Sequence, residues 1–155
     1  MPAKKKLKME IRFVQKKDLS QIIELCKEHA DYEKADYERK NKSEVLSNFI
    51  FGKNPSLKCL VVEHENIIVG YATFMKQFST WDAEYYIYLD CLFMKETTRG
   101  KGLGRLIMER IKEYAKTESC SVIQWQTPDF NKKAIDFYRK IGAISKSKER
   151  FSLNI

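Results

Sequence analysis

Tyr85-Tyr-Ile-Tyr-Leu-Asp-Cys-Leu-Phe-Met94, followed after a short polar turn by Arg99-Gly-Lys-Gly-Leu-Gly-Arg105, is the stretch on which the fold turns. Its first part is an apolar run of strand composition. Its second part holds three of the chain's six glycines, at positions 100, 102 and 104. From there Leu103, Leu106, Ile107, Arg110, Ile111 and Tyr114 keep the period of an amphipathic helix. Ordering glycine costs backbone entropy, so such a cluster marks a place where backbone must approach something closely. A glycine-rich turn at the mouth of a helix points unpaired N–H groups outward, and the helix dipole favours an anion there. Arg99, Lys101 and Arg105 add positive charge at the same point. The whole reads as a pocket for a phosphate or pyrophosphate.

Two nucleotide motifs fail against this spacing. The P-loop needs four residues between its first glycine and a Gly-Lys-Ser/Thr, and the chain offers none. The dinucleotide fingerprint needs Gly-x-Gly-x-x-Gly and an acidic residue closing the next strand. Here the pattern is Gly-x-Gly-x-Gly, and the next strand, Ser121–Thr127, ends in Gln-Trp-Gln-Thr. What remains, Arg-Gly-x-Gly-x-Gly after an apolar strand, resembles the pyrophosphate loop of the GNAT acetyltransferases, which hold acetyl-coenzyme A.

The chain has 155 residues, 43% hydrophobic and 12% aromatic, which suits a single domain over residues 1–155 with a real core. Residues 1–9 read as a basic, flexible tail. No apolar run reaches eighteen residues, so no membrane span is expected. Met1-Pro-Ala-Lys-Lys-Lys-Leu-Lys8 is charged but lacks an apolar stretch, so it is not read as a secretory signal. Cys26, Cys59, Cys91 and Cys120 lie far apart, with only His29 and His64 as further soft ligands. That spacing gives neither a zinc site nor a disulfide framework, and each cysteine reads as a buried thiol in a reducing cytoplasm. The net charge of +8, from 29 basic and 21 acidic side chains, suits a polyanionic ligand. The lysines at 4, 5, 6 and 8 read as solvated, and nucleic-acid binding through them is not expected.

In chain order, Glu10–Val14 alternates as a first strand. Asp18 suits the N-cap of a helix carrying Ile22, Ile23, Cys26 and Ala30 inward. After the carboxylate- and tyrosine-rich residues 31–40, Ser43 opens a short helix with Val45, Leu46, Phe49 and Ile50 inward. Cys59–Glu63 and Ile67–Phe78 are strands across a tight turn at His64-Glu-Asn66. Residues 79–83 turn into the strand 85–94, and Ser121–Thr127 is a further strand. Pro128-Asp-Phe-Asn131 opens a last helix closed by Gly142, and Ala143–Ser145 and Arg150–Leu153 read as a final strand pair. The fold class is α/β: one mixed, mostly antiparallel sheet of six to seven strands, with helices on both faces and a splayed central strand pair. That element order also matches the GNAT arrangement.

The resemblance extends over nearly the whole chain. Ile11-Arg12 with Asp18, Tyr32-Glu33, Phe51-Gly-Lys-Asn-Pro55, Cys59-Leu-Val-Val-Glu63, Ile68-Val-Gly70 and Phe137-Tyr138 with Gly142-Ala143 are similar to segments of the spermidine/spermine (diamine) N-acetyltransferase branch. The resemblance implies an acetyl-CoA-dependent N-acetyltransferase with no metal, acting on a small amine by direct attack in a ternary complex. It also implies a homodimer.

The chemistry narrows the candidates. An alkylamine has a pKa near 10.4, so at neutral pH roughly one molecule in a thousand is unprotonated, equivalent to about 4–5 kcal/mol. The site must take a proton from nitrogen and give one to the departing thiolate. Tyr138, in Asp136-Phe-Tyr-Arg-Lys-Ile-Gly142, resembles the family tyrosine that faces the coenzyme sulfur, and is the expected donor. By spacing alone it reads as an ordinary half-buried aromatic, and the motif is what favours the donor role. Asp90 is a carboxylate inside an apolar strand, where an unpaired charge is costly, so it faces a wet cleft or has a partner. The diamine branch has Leu-Glu-Asp where this chain has Leu-Asp-Cys, which implies that Asp90 stands for the glutamate as proton acceptor through water, with a salt bridge as the bland alternative. Phe93, Met94, Arg99, Gly100, Lys101, Gly102, Leu103, Gly104, Arg105 and Asn131 are the implied coenzyme contacts. Asn131 serves equally as a helix N-cap. Glu28, Tyr32, Glu33, Trp81, Asp82 and Trp125 are candidates for the acceptor, because aromatic faces and carboxylates attract a cation.

Rival readings are a protein lysine or N-terminal acetyltransferase, an aminoglycoside acetyltransferase, a silent sensor of acetyl-CoA, and a basic nucleic-acid-binding module. The last predicts binding that weakens steeply with salt and has no use for the glycine cluster.

Overall fold

The apolar runs of the sequence pair with one another. In the computed structural model, which describes residues 8–155, they build one five-stranded sheet in sequence order. Its strands are β1 (Met9–Phe13), β2 (Lys58–His64), β3 (Ile67–Ser79), β4 (Glu84–Met94) and β5 (Ile123–Gln124). The first four run antiparallel, and β5 joins parallel to β4. Glu65 and Asn66, both at positive φ, make the two-residue turn that suits the twist of the β2–β3 hairpin. Among the described residues there are four α-helices: α1 (Leu19–Tyr32), α2 (Lys42–Phe51), α3 (Leu103–Thr117) and α4 (Lys132–Lys140).

Both faces of the sheet are covered. Leu60, Val62, Ala72, Phe74, Ile87 and Leu89 pack against Leu103, Ile107, Met108 and Ile111 of α3. Cys59, Val61, Tyr71 and Phe93 pack on the other face against Ile22 and Leu25 of α1. Alternation along β2 therefore buries every residue from Cys59 to Val62, which explains its unbroken apolar run. Each aliphatic side chain so buried contributes about 1.5–3 kcal/mol.

A bulge interrupts β4. Thr73 and Phe74 are neighbours on β3, yet they face Cys91 and Leu89, so Asp90 is an extra residue without a partner. Ile87 and Leu89 face α3; past the bulge, Cys91 and Phe93 face α1 while Leu92 and Met94 stay with α3.

Several local expectations are corrected. The sheet has five strands rather than six to seven. Ala143–Ser145 and Arg150–Leu153 form no strand, and Ile144, Phe151 and Leu153 are each about nine-tenths exposed (94%, 91% and 89%). Alternation confers a capacity to pair, and among the described residues that segment meets no sheet edge. The strand expected over 121–127 shortens to Ile123–Gln124, with the Val122 carbonyl also accepting the Ile87 N–H at 3.0 Å. Asp18 does not cap α1 with its side chain. It is buried, and its carboxylate accepts from the Gln15 N–H at 2.7 Å and from Arg12 at 2.7 and 3.0 Å. Arg12 also donates to Glu63 at 2.8 Å, tying β1 to β2 and to the start of α1. Asn41, not Ser43, stands at the head of α2, and Val45 and Phe49 face outward. The expectation for Gly142 is met: at φ +92° its N–H reaches Arg139 O and the Ala143 N–H reaches Tyr138 O, closing α4. Most of the basic tail lies outside the described residues.

Candidate active site at the open end of a parallel strand pair

The β4–β5 ladder ends at Tyr88 and Gln124, but β4 continues to Met94 alongside β3. On its other side a wedge opens. Phe93 and Met94 stand at the end of β4, Trp125 follows β5, and Tyr138 of α4 meets Trp125 edge-on with ring centroids 5.1 Å apart.

The glycine loop leads from β4 into α3. Gly100 and Gly102 both have φ of +76°, a region L side chains rarely adopt, and a Cβ on either would meet no atom within 4 Å. Open space therefore lies above both, at the head of α3, where Gly102 is the N-cap. The first N–H groups of that helix have no partner within it. Gly104 is different: a Cβ there would come within 3.1 Å of Phe137 Cζ, so it is glycine for helix packing. Lys101 and Arg105 are exposed beside the loop. Arg99 turns back instead. Its Nε donates to Met94 O at 2.9 Å, and its guanidinium lies 4.6 Å from the Tyr32 ring centroid and 5.4 Å from that of Phe93.

Above the wedge, the last turn of α1 meets the first turn of α4. The Tyr32 hydroxyl donates to Asn131 Oδ1 at 3.0 Å, and the same oxygen accepts the Ala134 N–H at 3.3 Å. Asn131 is therefore the N-cap of α4 and a link to α1 at once. Burial first, then the nearby Glu33 and Tyr32, push Tyr138 up to about 12. Its phenol is protonated at neutral pH. Asp90 is exposed at the bulge, with the Cys91 thiol 3.8 Å from Oδ2. Burial and then Asp90 push that thiol up to about 12, so it is no nucleophile at neutral pH.

The Acetyltransferase (GNAT) family model matches residues 17–143. The chain belongs to the GNAT acetyltransferase family. It is 34% identical over 141 residues to the thialysine N-epsilon-acetyltransferase of Sus scrofa, covering 86% of this chain and 82% of that protein. It is 26% identical over 148 residues to the spermidine/spermine N(1)-acetyltransferase-like protein 1 of Homo sapiens, covering 90% of this chain and 21% of that protein. The fold is shared with the solved structure of an aminoglycoside N-acetyltransferase in complex with CoA, at a TM-score of 0.79, 14% identity and 98% coverage of both chains.

This GNAT enzyme is an N-acetyltransferase with acetyl-CoA as its acetyl donor. The open cradle over Gly100 and Gly102, at the positive end of α3, fits the pyrophosphate of that molecule. The wedge beside Phe93 and Met94 fits its extended arm, since a strand edge accepts a further extended chain. Bound there, acetyl-CoA supplies a thioester carbonyl open to attack and a thiolate as leaving group. The Tyr138 phenol at this wedge keeps its proton at neutral pH.

The acetyltransferase gathers some of the acceptor candidates and scatters others. Tyr32, Glu33, Trp125 and Tyr138 converge on the wedge, whereas Glu28 is exposed and pairs with Lys95 at 3.7 Å. Trp81 and Asp82 sit in the β3–β4 turn, with Trp81 99% exposed and Asp82 bonded to Ser79 at 2.8 Å. Ten residues of strand separate that turn from Phe93, on the order of 30 Å. The structure does not bring this pair to the site.

Sequence reasoning passed over His29. Its Nδ1 lies 2.9 Å from the Tyr71 hydroxyl, its Nε2 lies 3.2 Å from Glu33 Oε1, and its ring stacks on Phe93 at 5.0 Å and 18°. Burial lowers its pKa below 6.5, against the pull of Glu33. The signal was present in the His29-x-x-x-Glu33 spacing, which puts both on one face of a helix.

Proposed function

We propose that this protein transfers the acetyl group of acetyl-CoA to a primary amine of a small cationic acceptor, by direct attack in a ternary complex. The observation that carries this reading is a protonated Tyr138 against Trp125 at the open end of the wedge, with Tyr32 bonded to Asn131 at the head of the same helix and Glu33 next to Tyr32 in the chain. A relative named for N-epsilon acetylation of thialysine supports a primary amine on a short chain as the acceptor. Glu33 and the face of Tyr32 attract the ammonium group. Asp90 takes the nitrogen's proton through water, and Tyr138 delivers one to sulfur. Phe93 and Met94 with Gly100, Lys101, Gly102, Leu103 and Arg105 hold the coenzyme.

The protein works as one domain and as a homodimer. Support for association comes from the exposed Ile144, Phe151 and Leu153, and from Val45 and Phe49 on the outer face of α2. Four free cysteines support a reducing compartment, the cytoplasm.

The test is thiol release from acetyl-CoA against thialysine, spermidine, spermine, diamines, aminoglycosides and a lysine peptide. Release confined to small amines is the expected result. Release only with the peptide or the aminoglycosides overturns the acceptor assignment, and silence across the panel overturns the transfer reading.

A further inference from the structure

Glu33 stands just past the end of α1, where a carboxylate gains nothing from the helix dipole. What holds it is His29, one turn earlier. A carboxylate can only accept a hydrogen bond, so His29 Nε2 carries the hydrogen that reaches Glu33 Oε1. The other nitrogen, Nδ1, is then an acceptor, and the Tyr71 hydroxyl donates to it. Tyr71 is buried in β3, and burial raises its pKa, so the phenol keeps its proton. Phe93 covers the face of the imidazole. Tyr71, His29 and Glu33 thus form one directed chain, from the core outward to a carboxylate whose charge reaches Tyr138.

An ordinary surface pair at i and i+4 is open to water on both sides. This imidazole has a side-chain exposure of 13% and a single tautomer fixed by partners on two elements. We propose that His29 is a positioning residue: it sets the Glu33 carboxylate as the cation-receiving end of the acceptor subsite, and its protonation switches that end off. The inference rests on the small-amine acetyltransferase reading above.

The charge follows from the tautomer. With His29 neutral, the pair carries the charge of Glu33 and attracts an ammonium. With His29 protonated, the pair is a closed ion pair of net zero charge. Tyr71 on β3 and Glu33 just past α1 contact the ring, and the charges of Asp90 on β4 and Arg99 after β4 also reach it. Glu33 and Asp90 favour protonation, while burial, the largest effect, and Arg99 oppose it. The subsite therefore keeps its charge at neutral pH and loses it in acid.

Two measurements on the full chain decide this. In the first, the His29 ring is titrated by NMR, with His29→Gln identifying its signal against that of His64. The expected midpoint lies below 6.5 and falls further in Glu33→Gln. A midpoint that Glu33→Gln leaves in place overturns the pair, whatever the activity. In the second, acetyl-CoA and thialysine are followed against pH in wild type, His29→Gln, His29→Ala and Tyr71→Phe. The expected wild-type KM for thialysine rises about tenfold as His29 protonates, while kcat moves much less. His29→Gln flattens that limb and restores part of the affinity that His29→Ala loses, because an amide still donates to Glu33. A His29→Gln profile identical to wild type overturns the positioning role. Wild-type silence toward thialysine, spermidine, spermine and diamines alike, with acetyl-CoA bound, overturns the small-amine reading instead, and leaves the ring titration to decide the pair.

Discussion

The Tyr32 hydroxyl donates to Asn131 Oδ1 at 3.0 Å and so fastens the last turn of α1 to the first turn of α4, across 99 residues of sequence. Tyr32→Phe leaves the ring over Arg99 and removes only this bond. Its loss costs about 1 kcal/mol of stability, measured by chemical denaturation, and loosens the cap of α4. An unchanged midpoint would show that the bond contributes nothing net.

Tyr138→Phe keeps the ring against Trp125 and deletes the proton that sulfur needs. Turnover should fall by about 10²–10⁴-fold, the range for a lost general acid, while acetyl-CoA affinity measured by calorimetry changes less than about twofold. Undiminished turnover would remove Tyr138 from the mechanism.

Gly102 and Gly104 are glycines for different reasons, and their variants should separate accordingly. Gly102→Glu puts a carboxylate into the anion cradle on a left-handed backbone, and acetyl-CoA binding should be lost. Retained affinity would sink the loop assignment. Gly104→Ala presses on Phe137 and should lower the melting temperature, with a smaller effect on coenzyme affinity.

Arg12 and Asp18 give a test by pH. Burial works to raise Asp18, but bonds from Arg12 and the Gln15 N–H outweigh it, and the group lies below its ordinary 3.8. The stabilisation is therefore present above 3.8 and is lost as pH falls through the lower folded value. Arg12→Leu strands the carboxylate and should cost about 3–5 kcal/mol at neutral pH. The gap between variant and wild type should narrow on acidification; a constant gap would mean that charge pairing is not the cause.

Much of this molecule was legible before any coordinates. The glycine cluster and the helix behind it follow from local rules, glycine spacing and a 3.6-residue period, whereas the wedge depends on how short the β4–β5 ladder is, which a strand expected over 121–127 did not foretell. His29 was legible only in part: its spacing to Glu33 is local, but its fixed tautomer depends on Tyr71, 42 residues away, and its stacking on Phe93. Asp18 stands at the N-cap position of α1 as expected, but its carboxylate turns to Arg12, a partner that arrives from a strand and that a local pattern does not show. Trp81 and Asp82 lie in the β3–β4 turn, away from the wedge: cation-attracting chemistry says nothing about which end of a long hairpin carries it.

The bulge at Asp90 has a genetic consequence. A regular ladder from Leu89 directly to Cys91 would leave both residues facing as they do now, since Thr73 and Phe74 opposite them are already consecutive. A single-codon deletion of residue 90 should therefore yield a folded, straighter β4. The sheet is complete without Asp90, and its carboxylate is a guest at the mouth of the wedge.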